Sequence, residues 1–160
     1  MHRGIGRVFI LTIRVRHAIP ADLPGITEIA GQAVTAAQWS QRQYEQIFSQ
    51  GRLVLVIEEH DHVAGFLVAC GMAGDWEIEN IAVADRARRR GLGSRLLNEF
   101  LHHVRSSGGM QVALEVRESN HAARALYKKW AFLEAGRRKG YYRDPHEDAL
   151  IFKLYFPQAP

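Results

Sequence analysis

The sequence predicts an α/β domain in which a sheet of mixed strand direction is covered by helices. Its 160 residues suit one compact domain, because domains typically hold about 100 to 150 residues. Strand-like and helix-like segments follow one another in the order β-α-α-β-β-β-α-β-α-β-β. That order is typical of α/β sheets that combine antiparallel and parallel pairs.

The first predicted elements are a strand and two helices. Residues 12–17 predict the strand, and a turn at 20–22 leads into a helix that Asp22 is suited to cap. The apolar residues of this helix recur at helical spacing: Ile26, Ile29, Ala30, Ala33 and Val34. Ser40, followed three positions on by Gln43, predicts a capping box at the start of a second, short helix.

The middle of the chain predicts three strands and the longest helix. Apolar and β-branched runs at 53–57 and 63–70 are typical of an antiparallel hairpin, and residues 76–83 predict a further strand. After a segment rich in arginine and glycine, a helix is predicted over 92–105. Its apolar residues lie on one side: Leu92, Leu96, Leu97, Phe100, Leu101 and Val104.

The last third of the chain predicts three strands and one helix. Residues 112–116 alternate between apolar and other side chains, which indicates a strand with two different faces. Asn120 is suited to cap a helix that runs to about Lys129. Two strands, near 133–140 and 149–155, close the predicted sheet.

The composition is that of a globular protein. With 47% hydrophobic and 24% charged residues, the chain can bury a core, which excludes the disordered and fibrous classes. The apolar run at 8–13 is too short to span a membrane, and a single cysteine excludes an internal disulfide. We therefore expect a cytoplasmic protein without a membrane partner. Its single domain covers 13–156, between an N-terminal arm at 1–12 and a tail at 157–160.

Positive charge is concentrated at the turn before the helix at 92–105. Gly91 and Gly93 lie in this turn, directly after a cluster of arginines: Arg86, Arg88, Arg89 and Arg90. A helix N-terminus presents free N–H groups and a partial positive charge, and glycine lets a phosphate approach the backbone closely. The turn is therefore a candidate anion site. The alternative is a solvated basic loop at an ordinary helix start.

Two familiar phosphate-binding motifs do not fit this sequence. A Walker loop requires a lysine between its last glycine and the following serine, whereas Ser94 follows Gly93 directly. A dinucleotide-binding fold requires three glycines after an early strand, and no strand precedes Gly4 and Gly6.

The turn does resemble another cofactor motif. Arg88-x-x-Gly91-x-Gly93 is similar to the Q/R-x-x-G-x-G/A pyrophosphate motif of the GNAT acyl-CoA N-acetyltransferases, between the fourth strand and the third helix. Other segments resemble the RimI-like branch, the ribosomal-protein-alanine N-acetyltransferases: Trp39-Ser40, Asn80-Ile81-Ala82-Val83, Leu114-Glu115-Val116-Arg117, Ser119-Asn120, Ala125-Leu126-Tyr127, Tyr141-Tyr142 and Glu147-Asp148-Ala149. The resemblance implies a GNAT-type mixed, mostly antiparallel sheet, with helices on both faces and splayed fourth and fifth strands.

The resemblance implies that acetyl-CoA binds between these two strands. Its pantetheine would pair with the backbone of the fourth strand at Ile81, Ala82 and Val83. Its pyrophosphate would lie at the turn, on a set that begins with Arg88 and continues through Arg89, Arg90, Gly91, Leu92, Gly93 and Ser94. Asn120 resembles a family asparagine that contacts the cofactor, and it is equally suited to cap its helix. We predict no metal site, since the eight histidines form no helical i, i+4 pair with an acid.

The resemblance also implies two catalytic residues. Glu115 resembles the proton acceptor for the attacking amine, and strand alternation directs it away from Leu114 and Val116. The alternative for Glu115 is an exposed glutamate paired with Arg117 or another cation. Tyr127 resembles the proton donor to the departing thiolate, and its alternative is a packing role at the helix interface.

Aromatic residues are expected to wall the acceptor pocket. Trp39, Tyr141 and Tyr142 suit a small first residue such as alanine or serine, and packing roles are their alternative. Glu77 and Glu79 lie two apart on the fourth strand and therefore share a face. Either is a second candidate for the base or an anchor for the substrate amine.

The chain departs from the RimI-like branch after its fourth helix. Trp130-Ala131-Phe132 replaces a leucine-glycine-phenylalanine sequence. Glycine suits a left-handed helix end, so alanine predicts either an energetic cost or a differently shaped end.

Together, these features predict an enzyme that moves the acetyl group of acetyl-CoA to the N-terminal α-amine of a protein. The leading substrate is a ribosomal protein that begins with alanine, and we expect direct attack without an acyl-enzyme and without direct contact to nucleic acid. Two alternatives stay open. One is a GNAT enzyme acting on a small-molecule amine or a lysine side chain, and the other is a noncatalytic module that binds RNA or a nucleotide.

Overall fold

The computed structural model describes residues 12–33, 35–48 and 51–160. In this part of the chain a sheet of seven strands has the order β1-β2-β3-β4-β5-β7-β6. The strands are β1 (Ile13–His17), β2 (Leu53–Glu59), β3 (His62–Met72), β4 (Asp75–Val83), β5 (Gln111–Arg117), β6 (Leu133–Arg143) and β7 (His146–Tyr155). The helices are α1 (Leu23–Gln32), α2 (Gln41–Glu45), α3 (Leu92–Ser106) and α4 (His121–Lys129), with 3₁₀ turns at Pro20–Asp22 and Asp85–Ala87.

The sheet is mixed, as predicted. β4 and β5 run parallel, and the other neighbouring strands pair antiparallel. Residues 53–58 of β2 and 64–69 of β3 are buried without interruption. Because successive side chains of a strand point to opposite faces, such a run requires cover on both faces of the sheet. The predicted fold class and order of elements are therefore confirmed.

Helix α3 provides much of this cover. It packs against β1, β2, β3 and β4 through the apolar side that its sequence predicts. Phe100 from this side meets Trp76 of β4 edge to face, with ring centroids 5.8 Å apart. Each fully buried leucine or phenylalanine contributes roughly 1.5–3 kcal/mol of transfer free energy, so this side of α3 anchors the helix to the sheet.

The parallel pair of β4 and β5 ends halfway along the strands. Residues 75–78 of β4 pair with residues 111–114 of β5, and beyond them β4 pairs with β3 alone. A bulge at Glu79 marks the point of separation, since Ile78 and Asn80 face successive residues of β3. The predicted splay is confirmed, and it opens a gap between the two strands.

Two local predictions need correction. Asp22 does not cap α1; its carboxylate accepts the Ile19 N–H at 2.8 Å and two hydrogen bonds from Arg16, at 2.7 and 2.9 Å. Two charged hydrogen bonds outweigh one helix cap, which explains the change of partner. The last hairpin is longer than predicted, because pairing with β7 keeps the polar end of β6, including Tyr142, extended. Val34 lies outside the described residues.

The helix end after α4 keeps the left-handed form despite its alanine. Ala131 has φ +66°, and the N–H groups of Ala131 and Phe132 donate to the carbonyls of Lys128 and Tyr127. These two bonds are those of a Schellman motif, which glycine normally ends. Phe132 is thereby buried against the core, and the strain falls on Ala131.

Candidate active site

A cleft of about 1010 Å³ opens where β4 and β5 separate. Its walls come from both strands, the start of α3, α4, the segment after α1, and the end of β6. With one exception, the predicted site residues line it: Trp39, Glu79, Ile81, Ala82, Val83, Arg88, Arg89, Gly91, Leu92, Gly93, Ser94, Glu115, Asn120, Tyr127, Tyr141 and Tyr142. Residues far apart in sequence thus share one cleft of the size that ligand sites have.

The start of α3 forms one end of the cleft. No side chain among the described residues caps this helix. Its first helical hydrogen bond runs from the N–H of Arg95 to the carbonyl of Gly91, so the N–H groups of Leu92, Gly93 and Ser94 lie before it and have no helical acceptor. Gly91 takes a left-handed conformation, with φ +76°. Free N–H groups and the helix dipole make this end suited to an anion.

The arginines of the turn divide into different roles. Arg88 pairs with Asp85 at 3.0 Å and still lines the cleft, as does Arg89, which contacts no acid in the described part of the chain. Arg90 is the exception among the predicted residues, because its guanidinium makes two hydrogen bonds to Glu59, at 2.8 and 2.9 Å, and does not line the cleft. Two of the three predicted arginine side chains therefore remain at the anion end.

The anion end includes Gly93, in the first turn of α3. A β-carbon there would lie 3.5 Å from Leu126 and 3.8 Å from Val83, at ordinary contact distance. The hydroxyl of Ser94 accepts a hydrogen bond from the Trp130 indole at 2.9 Å, a contact between residues 36 positions apart that no local pattern predicts. The free stretch of β4 ends at Val83, which lies beside Gly93. An extended ligand with an anionic end fits this combination.

Asn120 caps its helix, and its contact with the cofactor stays a prediction. Its side-chain oxygen accepts the Ala123 N–H at 3.2 Å and so caps α4, and the residue also lines the cleft.

Glu115 lies in the cleft and forms an ion pair. Its carboxylate accepts a hydrogen bond from Arg138 of β6 at 2.6 Å. Arg117, the partner first considered, instead binds Glu147 at 3.0 Å and lies 4.1 Å from the centre of the Tyr142 ring. A carboxylate held in a cleft by one cation is able to accept a proton from an amine.

Tyr127 is almost fully buried and lines the same cleft. It is 4% exposed and packs against Phe132 and Phe152, with ring centroids 5.7 and 6.3 Å away. Burial raises the pKa of its hydroxyl well above the usual value, so the group stays protonated and can donate a hydrogen bond to a ligand.

Two further carboxylates stand beside Glu115. Glu79 pairs with Arg52 at 2.6 Å. Glu77 lines the cleft, and within the described residues it has no ion-pair partner. Partial burial and the neighbouring charges of Glu115 and Glu79 raise the pKa of Glu77. This end of the cleft is therefore suited to a cation or an amine.

Aromatic rings border the carboxylate end. Trp39 contacts Tyr44 with the two rings tilted by 55° and their centroids 5.3 Å apart, and Tyr141 meets Tyr142 edge to face at 5.2 Å. Tyr142 is half-buried, whereas Tyr141 is 53% exposed. The rings thus line the edge of the cleft at this end and do not enclose it.

One residue of this cleft, Asn80, and two residues that contact its lining, Arg138 and Trp130, had no role in the sequence predictions. Arg138 has no local signal, because its partner Glu115 is 23 positions away. Asn80 was part of a matching segment without an assigned role, although an amide within an apolar strand is itself a signal of a buried polar contact. Trp130 belongs to the altered helix end in the sequence, and the structure adds its hydrogen bond to Ser94.

Neither a metal cluster nor a membrane span emerges from the described residues. No group of three or more His, Cys, Asp or Glu side chains in them is arranged to hold a metal. None of their helices is both long and apolar enough to cross a membrane.

The sequence profile of the Acetyltransferase (GNAT) family matches residues 23–132. The chain belongs to the GNAT acetyltransferase family. This GNAT segment includes the start of α3, both splayed strands and α4. The protein is therefore an N-acetyltransferase, and this finding replaces the alternative of a noncatalytic binding module.

Relatives within the GNAT family support a narrower comparison. The chain is 36% identical over 135 residues to the [ribosomal protein bS18]-alanine N-acetyltransferase of Salmonella typhimurium, covering 83% of this chain and 90% of the relative. It is 44% identical over 79 residues to the N-alpha-acetyltransferase RimI of Mycobacterium tuberculosis, 49% of this chain and 48% of that one. The crystal structure of the Escherichia coli ribosomal-protein-S18-alanine N-acetyltransferase is similar, with TM-score 0.85, 29% identity and coverage of 93% and 97%. The protein thus resembles the RimI-like members.

Proposed function

We propose that this enzyme transfers the acetyl group of acetyl-CoA to the N-terminal α-amine of a protein, and that its substrate is a ribosomal protein beginning with alanine. The observation that carries the proposal is one continuous cleft, with an uncapped helix start at one end and carboxylates with aromatic rings at the other. Relatives that share most of the chain length carry the name of this activity.

The anion end is assigned to the cofactor. Leu92, Gly93 and Ser94 would bind the pyrophosphate through their N–H groups, and the free part of β4 would bind the pantetheine amides as an added strand. The bound cofactor supplies a thioester carbonyl carbon and a thiolate leaving group. N–H groups of β4 would stabilise the charge that develops on the carbonyl oxygen.

The other end prepares the amine. A free α-amine has a pKa near 7.7–8.0, against about 10.4 for lysine, so neutralising an N-terminus at neutral pH costs far less. Glu115 would accept the proton that the amine loses as its nitrogen bonds to the carbonyl carbon. Arg138 keeps this carboxylate in place at 2.6 Å.

Tyr127 is assigned to the departing sulfur. Its buried hydroxyl remains protonated and would donate a hydrogen bond to the sulfur as the carbon–sulfur bond breaks. A thiol has a pKa of about 8.5, below that of this tyrosine, so the hydroxyl stabilises the thiolate before any proton moves. On release of the products, Glu115 gives up the proton that it accepted from the amine, and the thiolate takes up one proton to become a thiol, so that the reaction is balanced.

A peptide assay tests the proposal. Purified enzyme is mixed with acetyl-CoA and three peptides that share one sequence apart from the groups tested. The first has a free N-terminal alanine, the second has a blocked N-terminus, and the third has a blocked N-terminus and an internal lysine. Fragment mass spectrometry then locates the acetyl group. We expect modification of the free alanine alone.

The same assay separates the remaining alternative. Acetylation of the lysine peptide, or of simple amines at equal rates, would replace the proposal by a GNAT enzyme for lysine or small-molecule amines. A lysine acceptor requires a stronger base, because its ammonium is about 2.5 pKa units less acidic.

A further inference from the structure

A buried amide lies in the floor of the cleft. Asn80 follows the bulge at Glu79, is 3% exposed and lines the cleft. Its amide nitrogen donates to the Tyr44 hydroxyl at 3.1 Å and to the Ala37 carbonyl at 3.4 Å. Its amide oxygen is buried and accepts no hydrogen bond from any described residue. Buried amide oxygens almost always have a donor, so this one is available for a ligand.

The orientation of the amide follows from its neighbours. The Ala37 carbonyl can only accept, and it also receives a hydrogen bond from the Tyr44 hydroxyl at 3.4 Å. Turning the amide over would set its oxygen against the Ala37 carbonyl, with two acceptors facing each other. The nitrogen of Asn80 therefore faces the segment after α1, and the buried oxygen is the atom that lacks a donor among the described residues.

The position of Asn80 indicates which part of the bound molecules it meets. It lies between the carboxylate end, marked by Glu77 and Glu79, and the segment that carries Trp39, and both line the cleft. The anion end begins only after β4 has ended. An amide oxygen here faces the acceptor, and it requires an N–H or O–H donor from it.

We propose that the side-chain oxygen of Asn80 accepts a hydrogen bond from the first peptide N–H of the acceptor, the N–H of its second residue. This inference rests on the proposed N-terminal activity. The α-amine itself must give its proton to Glu115 and direct its lone pair to the thioester. The first peptide N–H is the nearest other donor, and it would be buried without a partner if Asn80 did not accept it.

The contact gives the enzyme a means of selecting its substrate class. Every N-terminal peptide has this N–H except one with proline second, whereas a lysine side chain and a simple alkylamine have no donor at that distance from the amine. A site built to receive a hydrogen bond rejects molecules that lack the donor, because its buried acceptor is then left unpaired. Asn80 is thus a specificity-determining residue for peptide N-termini.

The experiment compares two peptides and three enzymes. One peptide begins with free alanine, and its analogue is methylated on the nitrogen of the second residue, which replaces the N–H by N–CH3; the comparison with Asn80→Leu separates the loss of the hydrogen bond from the added bulk. Initial rates are measured with wild type, Asn80→Leu and Tyr44→Phe, and the Tyr44 variant serves as the matched control, since it alters the partner of the amide nitrogen and leaves the oxygen.

Methylation is expected to lower kcat/KM of the wild type for the peptide about tenfold, the effect of one hydrogen bond with a desolvated partner. Asn80→Leu should show a similar loss with the parent peptide, no further loss on methylation, and an unchanged KM for acetyl-CoA. Tyr44→Phe should remain sensitive to methylation. The loss of kcat/KM caused by Asn80→Leu and the loss caused by methylation are then coupled rather than additive.

Three outcomes would overturn the inference. Equal rates of the wild type on both peptides would remove it even if Asn80→Leu failed to fold, and so would a methylation effect of full size in Asn80→Leu. If the wild type bound acetyl-CoA but acetylated neither peptide, the proposed function would fall and this inference with it. The first two results leave the proposed function standing, so the two failures are distinguishable.

Discussion

Glu115 stands among groups of both charges. Arg138 binds its carboxylate, and Glu77 and Glu79 lie on the neighbouring strand β4. Glu79 has its own cation, Arg52, whereas Glu77 has no ion-pair partner in the described part of the chain. The ion pair keeps Glu115 in a fixed position for an incoming amine, and the proposed role as base can be tested at this residue alone.

Glu115→Gln should lower kcat by about two to four orders of magnitude at neutral pH, because the amide cannot accept the proton of the amine. The Kd for acetyl-CoA should stay the same. Initial rates and calorimetric binding measure the two quantities. Glu99→Gln, exposed on α3 and remote from the cleft, is the control. A loss that instead followed Glu77→Gln would move the base to β4.

Ala131 carries the energetic cost of the altered helix end. A left-handed conformation costs about 1–2 kcal/mol for a residue with a β-carbon. Glycine removes this cost, but its greater freedom in the unfolded chain cancels part of the gain in stability. Ala131→Gly should therefore stabilise the protein by about 0.5–1 kcal/mol, a rise of about 1–4 °C in Tm.

Calorimetric unfolding checks this prediction. Ala125→Gly, exposed in the middle of α4, is the matched control and should destabilise by about 0.5–1 kcal/mol, because its φ is already helical. Equal shifts of one sign in both variants would show that the left-handed conformation of Ala131 carries no cost.

At the scale of the elements, hydrophobic periodicity was sufficient to predict the strands and helices in their order. The apolar side of α3 and the capping box at Ser40 are local patterns, and both are present. Features that depend on a partner in another element could not be predicted from local patterns. Asp22 is in the right place to cap α1, yet its carboxylate binds Arg16 of the neighbouring strand instead. The end of β6 looks polar and loop-like, and only its pairing with β7 keeps it extended.

The ion pair of Arg16 and Asp22 ties β1 to the 3₁₀ turn before α1. Asp22 is 8% exposed, and its hydrogen bonds from Arg16 lower its pKa. A carboxyl group with a lower pKa in the folded protein stabilises it above the unfolded value of about 3.9, and the contribution is lost as pH falls through the folded value.

Asp22→Asn should therefore destabilise the protein by about 2 kcal/mol at pH 7, and the difference from wild type should shrink as pH falls below about 4. Urea unfolding at several pH values measures both. Glu28→Gln, an exposed change on α1, should differ from wild type by less than about 0.5 kcal/mol throughout. A difference that stayed constant down to pH 3 would mean that the charge of Asp22 is not the cause.

At the scale of the whole molecule, the cleft exists because one sheet combines two kinds of pairing. The parallel contact of β4 with β5 ends after four residues, while each strand keeps its antiparallel neighbour. A ligand in the gap would replace the missing pairing and connect the two parts of the sheet. We propose that residues 13–156 fold as one cooperative domain; most of the predicted arm, residues 1–11, lies outside the described residues.

Acetyl-CoA should therefore stabilise the whole domain in a single unfolding transition. At a concentration 100 times Kd, binding adds about 2.7 kcal/mol, which raises Tm by about 5–10 °C for a chain of this size. Acetyl-pantetheine, which has the thioester but no pyrophosphate, should give a much smaller shift at equal concentration, because the N–H groups at the start of α3 then have no anion to bind. Scanning calorimetry records both.

A variant locates that difference at the helix start. Gly93→Asp adds a carboxylate at the start of α3, and its β-carbon would lie at ordinary contact distance from Leu126 and Val83, so the free protein should keep its Tm. The carboxylate repels the pyrophosphate and competes for the same N–H groups, so the shift with acetyl-CoA should fall while that with acetyl-pantetheine changes little. Gly31→Asp, in α1, where no described atom lies within 4 Å of an added β-carbon, should leave both shifts intact. If Gly93→Asp retained the full acetyl-CoA shift, the pyrophosphate would have to bind elsewhere, and the start of α3 would lose its assigned role.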